Sequence, residues 1–95
     1  MRNIEVEIKE HQPSGWIFSV SVQEGDEETD HEVELTQNDY NDLTGGNASP
    51  SELVEKSFEF LLDREPKESI LGEFNLTEIS LYFPEYEEMI QELFQ

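Results

Sequence analysis

The chain has 95 residues, with 24 Asp or Glu against five Lys or Arg, and a formal net charge of −19 when both histidines are neutral. Without cysteine it can build neither a disulfide framework nor a thiolate metal or iron–sulfur site, and two histidines do not make a His-rich metal or relay centre. So negative a balance repels phosphate backbones and anionic lipid surfaces, so neither direct nucleic-acid binding nor membrane binding is expected, while six Phe, three Tyr and one Trp suffice for one small core.

The first 36 residues read with period two. Ile4, Val6 and Ile8 alternate with Glu5, Glu7 and Lys9, a pattern unlike the apolar run of a signal peptide, so a cytoplasmic location is expected. After the turn signal Gln12-Pro13-Ser14-Gly15, Trp16, Phe18, Val20 and Val22 fall on one face and Ile17, Ser19 and Ser21 on the other. An acidic stretch, Glu24 to Asp30, reads as a solvated hairpin loop leading to a third strand with His31, Val33 and Leu35 inward. Short connections make this a three-stranded antiparallel meander.

From Thr36 the period becomes about 3.6. Thr36 caps a short helix carrying Tyr40 and Leu43, and Gly45-Gly46 ends it. Ser49-Pro50-Ser51-Glu52 is the clearest local signal: an N-cap serine, proline at the first helical position and a glutamate placed for a capping box. The helix it starts runs to Asp63, with Leu53, Val54, Phe58, Phe60, Leu61 and Leu62 apolar. Pro66 opens a short helix, Lys67 to Glu73, with Ile70, Leu71 and Phe74 inward. Asn75 caps Leu76 to Phe83, where Ile79, Tyr82 and Phe83 share a face, and Pro84 precedes a last helix, Glu85 to Phe94, striped by Tyr86, Met89, Ile90, Leu93 and Phe94. The fold expected is a single α+β domain over residues 1–95: a three-stranded antiparallel sheet (1–36) followed by about four helices (37–95) packed on one face.

The phrase Ser57-Phe58-Glu59-Phe60-Leu61-Leu62-Asp63-Arg64-Glu65-Pro66, then Ile70-Leu71, Phe74 and Tyr82-Phe83-Pro84-Glu85-Tyr86, resembles a group of small prokaryotic hypothetical proteins. The likeness covers roughly residues 31 to 90 and implies a domain of uncharacterised function, with no catalytic or binding residue carried across.

Several constellations bear on function. Clustered carboxylates suit Ca²⁺ or Mg²⁺, but aligning Asp26, Glu28, Asp30 and Glu32 on an EF-hand loop puts His31 where glycine is needed and Gln37 where the closing glutamate belongs. With 24 acids some pair always has a suitable spacing for acid–base chemistry, so spacing points to no catalytic pair, and neither catalytic residue, metal nor cofactor is expected. His31, on an inward face, reads as hydrogen-bonded packing. Ser49, Glu52 and Arg64 read as structural, Arg64 complementing the end of the central helix and pairing with Glu65, Glu68 or a carboxylate of another element. The residues expected to meet a partner are Glu24, Asp26, Glu27, Glu28 and Asp30 for steering, with Tyr82, Phe83, Tyr86 and Phe94 for affinity. The function expected is a non-enzymatic interaction module, monomeric or weakly dimeric, docking on a basic protein. The rivals are an acidic mimic that blocks a nucleic-acid-binding protein, a small acid-dependent enzyme, and a charge that serves only solubility or a salty cytoplasm.

Overall fold

Period-two alternation extends further along the chain than the short apolar runs suggest. The computed structural model describes residues 2–95 and forms strands β1 (Arg2–Gln12), β2 (Gly15–Glu24) and β3 (Glu27–Thr36), joined by two-residue turns into an antiparallel meander. Gly25, first in the second turn, takes a φ of +61°, which glycine adopts without a Cβ penalty and a primed hairpin turn requires. Gly15 answers a different need: a Cβ there would lie 2.1 Å from the Leu35 carbonyl oxygen, so the strands can approach this closely only around glycine.

Trp16, Phe18, Val20 and Val22 of β2 and His31, Val33 and Leu35 of β3 are all buried on one face, as their alternation predicts. A bulge between Ile8 and Glu10 shifts the phase of β1. The shift sends Glu10 to the opposite face beside Ile17 and brings His11 beneath the core-side Trp16, where the two rings stack at 5.4 Å.

Four helices follow: α1 (Gln37–Thr44), α2 (Pro50–Leu62), α3 (Ile79–Tyr82) and α4 (Tyr86–Phe94). Thr36 Oγ1 accepts the Asp39 N–H at 3.1 Å, and Gly45 closes α1 in the left-handed region at φ +62°. Ser49 Oγ accepts the Glu52 N–H at 3.1 Å, so the N-cap of α2 forms as its sequence announces. Leu53, Val54, Phe58, Phe60 and Leu61 are buried in the core, with the Phe60 ring edge-on to Tyr86 at 5.2 Å. Ser57 is buried with them because its hydroxyl donates to the Leu53 carbonyl at 2.7 Å and accepts from the Tyr86 hydroxyl at 2.6 Å.

The sheet has four strands, because Glu73–Asn75 forms β4, parallel to β3, where a helix from Lys67 to Glu73 was expected; only Lys67–Ser69 is helical, as one 3₁₀ turn. The Glu32 N–H donates to the Gly72 carbonyl at 2.8 Å and His31 Nδ1 donates to the Leu71 carbonyl at 2.8 Å, so β3 captures the chain before a second helical turn can form. That places Leu71 outward instead of inward. The expected helix from Leu76 to Phe83 is likewise a 3₁₀ turn, Leu76–Glu78, followed by the four residues of α3, and the tighter turn rotates Tyr82 into solvent. In α4 only Tyr86 and Ile90 are fully buried, leaving Met89 and Leu93 exposed.

Candidate functional site

Strand parity decides where the carboxylates go. Opposite the core, the outer face of the sheet carries Glu5, Glu7 and Glu10 on β1, Glu28, Asp30, Glu32 and Glu34 on β3 and Glu73 on β4. Between the two acidic rows, β2 contributes the neutral Ile17, Ser19, Ser21 and Gln23. Same-face neighbours along a strand lie about 6.8 Å apart, and rows separated by one strand lie about 9.5 Å apart. The helices pack on the other face, so this surface is open. Its cation is Lys9, the bulge residue, whose Nζ lies 2.5 Å from Glu32 Oε1; that carboxylate holds the ammonium above its ordinary value. Gln23 Nε2 donates to Glu28 Oε1 at 2.5 Å. The remaining carboxylates of the face have little to balance them, and their potentials add across it.

The acidic stretch expected as one solvated loop is instead divided by the strand pairing. Only Gly25 and Asp26 form the turn. Glu28 and Asp30 join the outer face, whereas Glu24 and Glu27 lean to the helical side and meet Lys67, whose Nζ lies 3.9 Å from Glu24 Oε1, 3.6 Å from Glu27 Oε1 and in contact with Glu68. The Lys67 side chain is only 3% exposed, yet the three carboxylates covering it are themselves exposed, so the ammonium is roofed by acids rather than sunk in apolar surroundings. Its hydrogen bond to Glu68 raises the lysine above its ordinary value and holds the Glu68 carboxyl below its own. No sequence motif marks this hub, because Glu24 and Glu27 meet Lys67 from more than 35 residues away in the chain; the scarcity of lysine was its one signal.

The apolar contact candidates also separate. Tyr82 is 66% exposed and Phe83 half-buried, its ring edge-on to Phe60 at 5.9 Å; Phe94 is half-buried against the core. Tyr86 must be withdrawn as a contact residue: it is fully buried, its hydroxyl is bound to Ser57, and burial pushes the phenol well above its ordinary value. His31 is likewise occupied, with Nδ1 on the Leu71 carbonyl and Nε2 2.9 Å from the Thr29 hydroxyl, a hydrogen-bonded core position.

Arg64 closes the C-terminal end of α2. Its Nη1 donates to the Phe60 carbonyl at 3.1 Å, its Nε to Glu85 Oε2 at 3.3 Å, and its guanidinium carbon sits 3.6 Å above the centre of the Phe60 ring. Capping a helix end and stacking on an aromatic face each contribute on the order of 0.5–1 kcal/mol, and the partly solvated ion pair adds little. Arg64→Ala should therefore lower stability by about 1–2 kcal/mol in a thermal or urea melt. An unchanged melting temperature would show that the arginine is free for another task.

A hollow of about 160 Å³ opens between the end of α2 and α3, and a second, of about 260 Å³, lies between α2 and α4 beside Lys56, Arg64, Met89 and Leu93. Ile70, Phe74 and Ile79 line the first as buried residues, Leu71 and Tyr82 stand at its exposed rim, and Glu65 and Glu78 are its charged groups. Among the described residues no group of three or more His, Asp or Glu is arranged to hold a metal ion, and no helix is long and apolar enough to cross a membrane. Leu61 and Glu65 at the end of α2 and Tyr82 and Phe83 before Pro84 border the smaller hollow, and Arg64 pairs with Glu85. No protein-family model, curated protein or solved structure matches the chain.

Proposed function

We propose that the chain is a non-enzymatic docking module whose acidic sheet face seats it on a basic surface of another protein. The observation that carries this reading is the open outer face with its two rows of carboxylates and a single lysine. A four-stranded sheet covered on one side buries what its core requires there; the other side is chemically free, and here its two rows carry seven carboxylates, Glu5, Glu7 and Glu10 on β1 and Glu28, Asp30, Glu32 and Glu34 on β3. Such a surface accelerates encounter with a cationic partner and disfavours neutral or acidic ones.

Glu7, Asp30, Glu34 and Glu73 form no side-chain hydrogen bond among the described residues, so Glu7→Gln, Asp30→Asn, Glu34→Gln and Glu73→Gln together leave the fold intact while removing four charges. Capture from native lysate at low salt, with partner identification, should recover a basic protein with the natural chain; the neutralised variant should bind it at least about tenfold more weakly and with a shallower salt dependence. Equal capture by both chains overturns the reading.

The regular two-row spacing also favours a second reading, an acidic mimic that occupies the basic groove of a nucleic-acid-binding protein. In that case the captured partner binds nucleic acid and duplex DNA displaces the chain from it, with a steep salt slope.

A further inference from the structure

We propose that the hollow between the end of α2 and α3 receives one large apolar side chain, Leu, Met or Phe, from a Lys- or Arg-flanked segment of the basic partner. This rests on the docking reading: the sheet face supplies attraction, and the hollow supplies the burial that holds the complex together.

Size selects the class of occupant. The hollow measures about 160 Å³. An apolar cavity of about 150 Å³ takes one benzene molecule, whereas sites for whole metabolites and cofactors span about 300–1,000 Å³. One ring or one branched chain fits. The lining has the same character: Ile70, Phe74 and Ile79 form an apolar floor, and Leu71 and Tyr82 remain 47% and 66% exposed at the rim, where an incoming side chain would cover them.

Charge selects the neighbours of that side chain. Glu65 and Glu78 line the hollow, and no Lys or Arg does. The two nearest cations in the sequence are engaged elsewhere, Arg64 on Phe60 and Glu85, Lys67 on Glu24, Glu27 and Glu68. Glu78 already accepts the Asn75 N–H at 2.9 Å in a capping box, so an anchor flanked by Lys or Arg would meet Glu65, which makes no side-chain hydrogen bond, and the second oxygen of Glu78. A second copy of this chain brings its own charge of −19, and an anionic lipid surface brings phosphates; both are repelled by the same groups.

The test uses two synthetic probes, acetyl-Lys-Lys-Leu-Lys-Lys-amide and the same peptide with Ser for Leu, titrated into the ¹⁵N-labelled chain at low salt. The Leu peptide should bind about tenfold tighter and shift the amides of Leu71, Phe74 and Tyr82, while the Ser peptide shifts only the strands of the acidic face. Leu71→Ser combined with Tyr82→Ser, both on exposed side chains, should abolish the Leu preference and leave Ser-peptide binding unchanged. Equal affinities, a Leu preference that survives the double substitution, or shifts centred on Met89 and Leu93 would each overturn the hollow as the anchor site while leaving the docking reading standing. Binding of neither peptide would overturn the docking reading itself, and the anchor with it.

Discussion

Phe58→Ala is expected to lower the melting temperature by on the order of 20 °C. Phe58 has no exposed surface, and its ring meets His31 at 5.4 Å and Phe74 at 6.0 Å, so it joins the central helix to β3 and to β4 at once. Truncating a buried phenylalanine costs about 3–5 kcal/mol, the transfer free energy plus the void left behind. A chain of this length has only about 5–14 kcal/mol of stability in total, so the loss takes a large share of it. Phe58→Leu, which keeps most of the volume, should cost far less. Circular dichroism melts and urea titrations read both variants. A loss below about 1 kcal/mol for the alanine variant would mean that the junction of α2, β3 and β4 is not packed around this ring.

The periodic parts of the fold were legible because each is long enough for its period to repeat. Phe18 to Val22 and His31 to Leu35 show unbroken alternation, and Ser49-Pro50-Ser51-Glu52 announces α2 by cap chemistry that acts over four residues. What escaped was short or decided at a distance. Three residues of β4 contain no period; they form a strand because His31 and the Glu32 N–H hold the Leu71 and Gly72 carbonyls from across the sheet. The bulge at Lys9 has no glycine to mark it, and only the His11–Trp16 stack reveals why the phase must change.

The same distinction governs the site. The acidic stretch was visible as composition, but its division was not, although extending the inward phase of His31, Val33 and Leu35 back towards Gly25 would have turned Glu28 and Asp30 to the outer face and Glu27 to the inner. That step requires knowing that the turn is two residues long. Tyr82 and Tyr86, both expected as contact residues, part for a comparable reason. A 3₁₀ turn and four α-helical residues do not keep the phase of a continuous helix, so Tyr82 points outward, while Tyr86, at the start of α4, lies over Ser57.

Lys67→Met is expected to destabilise the chain most at low ionic strength and neutral pH, by several degrees, with added salt restoring part of the loss. Methionine keeps the length and apolar stem of the side chain but removes one of only five cations, leaving Glu24, Glu27 and Glu68 to repel one another across the β2–β3 turn and the 3₁₀ segment. Salt screens that repulsion because the three carboxylates are solvated. The pH dependence follows from the directions of the shifts. Glu68 is held below its ordinary 4.5, chiefly by the Lys67 hydrogen bond, so its contribution is present above that pH and is lost as pH falls through the lower folded value. Lys67 is raised above its ordinary 10.5, chiefly by the Glu68 hydrogen bond, so its contribution is complete below that pH and fades as pH rises through the higher folded value. The natural chain and the variant should therefore differ most on the plateau between those limits and converge towards strong acid and strong base. Melting curves collected across pH and salt test both dependences together. A difference that ignores salt, or that widens on acidification, would show that Lys67 stabilises through its apolar stem and not through its charge.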